Sequence, residues 1–291
     1  MIDLHERLSE YSYGYGVTRE TEGLLEGIGI RAVPFLPNLI QENELGFDVG
    51  FNRPGAALLL QFKLGHSLKT FRRTDLTQPP PLLDRPYWRF NIDTSEPDGQ
   101  FETLLKAEQD GAETYYVAPR FSDWPHYAEL FDRRQVLDNS LLIRPSEVRT
   151  ALVNKGDPDG PHRIVYDRYR VHVCSKPMRI SNVDADEAIA AVSNIVRERK
   201  QQVGELLERV FEGLGDRSSV RRVSEAQERG PSERGPAIAY RATGELAQTQ
   251  RTRRLERLLG RAKTREQAIA AAVGVELWAL GIQLILAVEN E

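Results

Sequence analysis

The sequence predicts an α/β core followed by a C-terminal α-helical region. Three observations carry this. Apolar runs of strand length alternate with helical stretches up to about residue 181. Within them, "AALLLQFKL" and "AETYYVAPRF" are short, nearly continuous apolar runs of the kind that form buried strands. After Asn182 the character changes, and "VDADEAIAAVSNIVRERKQQVGELLERVFEGL" reads as one long amphipathic run.

The elements follow in order. Residues 1 to 30 read as helical, with Val17, Leu24, Leu25 and Ile28 near one stripe and Gly27 and Gly29 stopping it. "RAVPFLPNLI" carries two prolines and suits an edge strand, because proline cannot donate to a ladder. "LGFDVGF" and "AALLLQFKL" flank the turn Arg53-Pro54-Gly55 and predict a β-hairpin. An extended "YWRFNI" follows, then a helix over "DGQFETLLKAEQDG" and a strand from Glu113 to Phe121. A helix or loop around "SDWPHYAELFDRR", a strand "NSLLIRP" and a hairpin of "RIVYD" with "RYRVHVCS" come next. Asp184 is placed to cap the long helical run. The polar stretch at about 214–237 reads as a linker, and two further helices are expected to finish the chain. Two regions are therefore expected, 1–181 and 182–291.

Composition narrows the function. The chain has 291 residues, enough to bury a substantial core without disulfide or metal staples. A single cysteine, Cys174, excludes an intramolecular disulfide and a cysteine-built zinc site. The first residues are polar, mixed in charge and followed by no apolar run, so a cytoplasmic protein is expected. The stretch Ala268 to Val288 approaches the length of a membrane span, but Glu276 and Gln283 interrupt it, so a buried or oligomer-forming helix is expected there. A net charge of -4 argues against coating nucleic acid by bulk electrostatics. Charge is uneven, however: from Gly215 to Arg265 thirteen basic residues stand against six acidic ones, which reads as a phosphate-facing patch or a solvated helix face.

The hairpin holds the chemistry. If Arg53 to Ala56 form its loop, Asn52 pairs with Ala57, Asp48 lies opposite Gln61, and Gly46 lies opposite Lys63. Gln61 and Lys63 are two apart and share a strand face, and directly opposed residues share a face too. A carboxylate, an amide and an ammonium would then converge. A slip of one residue would destroy the arrangement.

Asp48 followed by Gln61-x-Lys63 resembles the PD-(D/E)xK nuclease superfamily, with the restriction-endonuclease-like fold, in the variant where glutamine replaces the second acid, similar to Mrr-like enzymes. The resemblance covers roughly residues 10 to 150, and the element order supports it. It implies a mixed central sheet flanked by helices and a metal-dependent endonuclease acting on DNA, with RNA also compatible, in prokaryotic restriction or anti-phage defence. It also implies a glutamate from the first helix, and Glu20 lies nearest the apolar stripe. The implied cofactor is Mg²⁺ or Mn²⁺, held by Asp48, Glu20 and the backbone carbonyl of Phe62, with Gln61 as a neutral ligand. Lys63 would orient or help deprotonate the attacking water. The departure at Gln61 removes a charge from the cage, which leaves room for a non-catalytic scaffold or nucleic-acid-binding subunit.

Other residues give weaker signals. Lys69, Arg72 and Arg73 follow the motif and could meet phosphates or form a solvated loop. Tyr11, Tyr13 and Tyr15 could stack on bases or pack on the core. His66 reads as a loop residue, and Trp124-Pro125-His126 lacks a second histidine at ligand spacing. The C-terminal helices are the expected surface for self-assembly or a partner protein. There is no Walker loop and no dinucleotide-binding glycine fingerprint.

Overall fold

A computed structural model of the chain describes residues 8–36, 50–68, 70, 81–174, 177–228, 249 and 251–290, with side chains to 215 in the helix that reaches 228. In chain order the elements are α1 (Glu10–Gly27), β1 (Ile30–Pro34), β2 (Gly55–Phe62), β3 (His66–Leu68) and β4 (Tyr87–Asp93). Then come α2 (Gln100–Gln109), β5 (Glu113–Pro119), α3 (Trp124–Arg133), β6 (Ser140–Ile143) and α4 (Pro145–Asn154). The chain continues with β7 (Pro161–Tyr166), β8 (Val171–Val173), β9 (Met178–Ile180) and α5 (Ala185–Asn194), which runs into a π-helical turn, Ile195–Arg199. It closes with α6 (Val203–Glu228), a helical stretch over 251–259, α7 (Arg265–Ala279) and β10 (Ile282–Glu289).

The architecture is α/β, as expected, with a mixed five-stranded sheet in the order β1-β10-β2-β5-β6. β2 is antiparallel to β10 and parallel to β5. A second, antiparallel sheet has the order β3-β4-β7-β8-β9, and its β7–β8 pair is the hairpin read from the sequence. Both faces of the first sheet are covered. Ala57 and Leu59 of β2 join a core with α2, α4, α6, α7 and the second sheet, through residues such as Phe101, Val148, Leu206, Val273 and Tyr166. Leu58, Leu60 and Phe62 face the opposite core, made with α1, α3, α5 and the π-helical turn through Val17, Leu130, Val192 and Val196. A strand buried on both faces is apolar throughout, which explains why "AALLLQF" shows no alternation.

Local chemistry sets the helix starts. Ser9 accepts a hydrogen bond from the Ser12 amide at 3.0 Å and begins α1. Asp184 and Glu187 form a reciprocal capping box that begins α5, in agreement with the sequence reading. Asp123 caps α3 by accepting from the His126 amide.

Four expectations need correction. First, both sides of the Gln61 strand are taken by other strands, and residues 45–49 of the expected hairpin, Asp48 among them, lie outside the described residues. The antiparallel side of β2 is filled by β10, with Ile282 opposite Gln61, and its other side by β5, with Tyr116 opposite Gln61. After the turn in which the Arg53 amide bonds the Gly50 carbonyl, Gly55 turns instead to the Gln201 carbonyl. Second, Ala268 to Val288 is not one helix. It breaks at Gly281, whose φ of 72° suits glycine, and Ile282 to Glu289 continue as a strand. Third, a boundary at 181 does not separate a sheet domain from a helical one, because β10 lies inside the first sheet between β1 and β2. Burying its Ile282, Leu284, Ile285, Leu286 and Val288 stabilises the fold by on the order of 10 kcal/mol, so the C-terminus is integral to the core. Fourth, the long helical run is interrupted at Lys200, which is left-handed at φ 49°, and the expected linker at 214–237 is helical up to Glu228.

Candidate functional site

The candidate site lies where β2 ends. Gln61 and Lys63 share the strand face of Ala57 and Leu59, as the sequence reading required, since residues alternate along a strand. The Lys63 amide continues the parallel ladder by donating to the Val117 carbonyl at 2.9 Å, which fixes the lysine at the mouth of the sheet.

The Lys63 ammonium is half-buried and donates to Gln100 Oε1 at 2.6 Å. Gln100, the first residue of α2, donates in turn to the Leu280 carbonyl at 2.6 Å. This ties the strand, α2 and the turn into β10 into one chain of contacts. Gln61 is 1% exposed; its Nε2 donates to the Phe62 carbonyl at 3.1 Å, and its Oε1 has no hydrogen-bond partner among the described residues. Gly281 faces the amide nitrogens of both Gln61 and Gln100. A glycine there meets the φ requirement and keeps the turn against the site.

Two ionisable groups face each other here. Burial holds the Lys63 ammonium below its ordinary value, and the charge of Glu10 pulls the other way. Glu10 stands at the start of α1, whose first turns lie over the end of β2: Gly14 packs on the Phe62 ring so closely that a β-carbon would collide with it. Partial desolvation pushes the Glu10 carboxyl up, and Lys63 opposes that shift. No ion pair at bonding distance joins the two; among the described residues the ammonium donates to a neutral amide.

The other expected residues separate. Glu20 does lie on the buried stripe of α1, yet its carboxylate accepts from the Val136 amide at 2.9 Å and the Leu137 amide at 2.7 Å. It therefore pins the turn that leads from α3 into β6, and it belongs to the core on the far side of the sheet from Gln61 and Lys63. The assignment of Glu20 to the site is corrected on that ground. The Phe62 carbonyl is engaged by Gln61 itself. Asp48, Lys69, Arg72 and Arg73 lie outside the described residues. His66 is an exposed residue of β3 opposite Arg89, and His126 packs on Phe121 inside the first turn of α3.

Glu10, Gln100 and the Leu280 carbonyl were missed by sequence reasoning. Gln100 lies 37 residues from Lys63 and Leu280 lies 180 from Gln100, so no local pattern links them. Glu10 sits directly after a capping serine, where an acid is expected for the helix alone.

Among the described residues no three His, Cys, Asp or Glu side chains gather as a metal site. Of what a hard cation takes, the described residues offer one donor here, the buried amide oxygen of Gln61, which has no hydrogen-bond partner among them. A carboxylate is needed beside it, and Asp48, outside the described residues, is the one the sequence offers. No helix among the described residues is long and apolar enough to cross a membrane. No family model, no curated protein and no solved structure matches this chain.

Proposed function

We propose that the chain is a nucleic-acid hydrolase, a DNA endonuclease that cleaves phosphodiester bonds by water attack at the end of β2. The observation that supports it most is the Lys63 ammonium, half-buried with lowered basicity, which among the described residues bonds only a neutral amide and stands two residues from a Gln61 oxygen with no partner there. Holding a lysine this way is unfavourable for the fold unless a bound anion uses it. A phosphate is such an anion.

In this reading the oxygen of water bonds to phosphorus, the P–O ester bond breaks, and a proton passes to the leaving oxygen. Lys63 stabilises the charge that develops on the non-bridging oxygens, and Gln100 aims it by holding Nζ against α2. Glu10 lies within the electrostatic reach of Lys63 and is placed to take or hold a proton of the water. Mg²⁺ or Mn²⁺ would be held by Asp48 with the Gln61 amide oxygen, and would polarise the phosphate and acidify the water. The resemblance to QxK nucleases extends this to a restriction-endonuclease-like core working in the cytoplasm in prokaryotic restriction or anti-phage defence. Here β10 occupies a place in the sheet next to the QxK strand.

A second reading has its own observation. Opposite Gln61 stands Ile282, fully buried, where the resemblance would place a carboxylate. This favours a nuclease-like subunit that binds nucleic acid or assembles with other chains and does not cut. One experiment separates the two. Purified protein is incubated with plasmid, linear duplex, single-stranded DNA and RNA, with and without Mg²⁺ or Mn²⁺. The hydrolase reading predicts metal-dependent cleavage that drops by about 10²- to 10³-fold in Lys63→Ala, the loss typical of removing one oxyanion donor. It also predicts loss of activity in Asp48→Ala. Absence of cleavage on every substrate, with no Asp48-dependent metal binding by calorimetry, would leave the scaffold reading.

A further inference from the structure

The sequence left Tyr11, Tyr13 and Tyr15 ahead of the first helix; they lie in its first two turns, and the helix sorts them. Tyr13 is fully buried and makes edge contacts with Phe62 and Phe121. Tyr11 and Tyr15 are 78% and 57% exposed, a large apolar area to leave in water on one helix. Their spacing continues to Arg19, so Tyr11, Tyr15 and Arg19 stand at i, i+4 and i+8 on one stripe.

The stripe borders α3. Tyr15 stacks on Phe131 with ring centroids 6.0 Å apart and planes at 29°, and the Arg19 guanidinium lies 4.5 Å over the same Phe131 ring. Tyr127 connects the two helices by donating to the Ser12 carbonyl at 2.5 Å, and Trp124, 41% exposed, packs on Tyr127. Arg19 makes no ion pair at bonding distance with any described residue, although its charge opposes the burial that raises the nearby Glu20 carboxyl. Arg19 itself borders a cavity of about 410 Å³ whose other charged lining residues are Glu20, Glu22, Glu26, Asp138 and Arg134, so the track ends there on an acidic surface. At the other end Tyr11 follows Glu10, whose carboxyl feels the charge of Lys63.

We infer that this stripe is a track for an unpaired nucleic-acid strand, with Tyr11, Tyr15 and Trp124 stacking on bases and Arg19 meeting the backbone. The inference rests on the hydrolase reading, which supplies a reason for a nucleic-acid strand to meet this helix. Exposed aromatic faces beside an unpaired guanidinium match the chemistry of a single strand, whose bases offer π-faces next to phosphates. A duplex keeps those faces stacked and offers the stripe little. From Tyr11 to Arg19 the helix rises about 12 Å, room for about three stacked nucleotides before the acidic end.

The test is fluorescence anisotropy of a labelled oligo-dT 12-mer and of a duplex of equal length, with full-length protein in EDTA so that nothing is cut. The expected result is tighter binding of the single strand, weakened about 5- to 100-fold by Tyr11→Ala or Tyr15→Ala, the range for one lost stacking partner. Tyr15→Phe should restore binding to within about twofold, because the π-face is kept. Circular dichroism checks that the helix is intact. Equal binding by the Tyr11→Ala/Tyr15→Ala protein, or no binding of the oligonucleotide, would overturn the track. So would a change from dimer to monomer in that double variant by light scattering, which would make the stripe an interface between copies. The Lys63→Ala background distinguishes the two proposals. Tyrosine-dependent binding with undiminished cleavage in Lys63→Ala supports the track and sinks the catalytic role of Lys63. Lys63-dependent cleavage without tyrosine-dependent binding does the reverse.

Discussion

Two polar clusters border the same sheet and are built in opposite ways. Around β5 and α4, Arg144 bonds Glu113 at 2.7 Å and the Tyr115 hydroxyl at 2.8 Å, while Tyr115 donates to Glu113 at 2.8 Å. Glu108 completes the group by accepting from the Ser146 amide at 3.0 Å and hydroxyl at 2.6 Å. There one guanidinium serves two carboxylates, and each carboxylate accepts hydrogen bonds. At the end of β2, by contrast, an ammonium is bonded to a neutral amide and a buried amide oxygen is left without a partner. The first cluster explains itself by stability alone. The second leaves polar groups without matching partners among the described residues, which on the proposed reading is the cost of a functional site.

The sharpest break in this comparison is on the structural side. Arg144→Ala strands Glu113, 9% exposed, without its cation and should destabilise the protein by about 3–5 kcal/mol in urea unfolding. A loss below about 1 kcal/mol would show that the network is not what holds β5 to α4. Next comes Glu20→Ala, which orphans the Val136 and Leu137 amides and should cost about 2 kcal/mol. Any cleavage activity should remain per folded molecule, because Glu20 supports the turn before β6 and not the chemistry. Abolished activity in a folded Glu20→Ala protein would return it to the site.

A smaller effect concerns pH. The folded-state basicity of Lys63 is lowered below its ordinary 10.5, so between that lowered value and 10.5 the unfolded chain binds more protons than the native one. Stability linked to Lys63 therefore rises as pH increases through that window and is lost as pH falls through the folded-state value. A Lys63→Met protein lacks this dependence, so its stability advantage over the natural protein should shrink as pH approaches 10.5. A constant gap would mean that the ammonium is not desolvated. The smallest expected effect is that of Gln100→Ala, which frees Nζ from α2 and should lower cleavage by about tenfold, as a loss of positioning does.

Local features of the fold were readable from the sequence. The stripe of α1, the cap at Asp184, the apolar run of β5 and the alternation in β7 and β8 depend on neighbours within a few residues. That Gln61 and Lys63 share a face follows from the same short-range geometry. What could not be read was the partner of β2. "LGFDVGF" and "IQLILAV" are both compatible with its free edge, and local pattern cannot choose between a strand ten residues away and one more than two hundred away. The same limit made Ala268 to Val288 look like one helix, since an apolar run buried on every side has no period to separate strand from helix. Glu20 shows a different limit: the sequence placed it on the buried stripe, while the two amides that claim it lie 116 and 117 residues away.

The most direct test of a site at the end of β2 measures stability and cleavage together on Lys63→Met at neutral pH. A methionine fills the same space without a charge to bury, so the unfolding midpoint should stay level or rise, by about 1 kcal/mol, while metal-dependent cleavage disappears. A protein that loses about 2 kcal/mol or more, or that still cuts as well as the natural chain, would make Lys63 a structural residue and contradict the account.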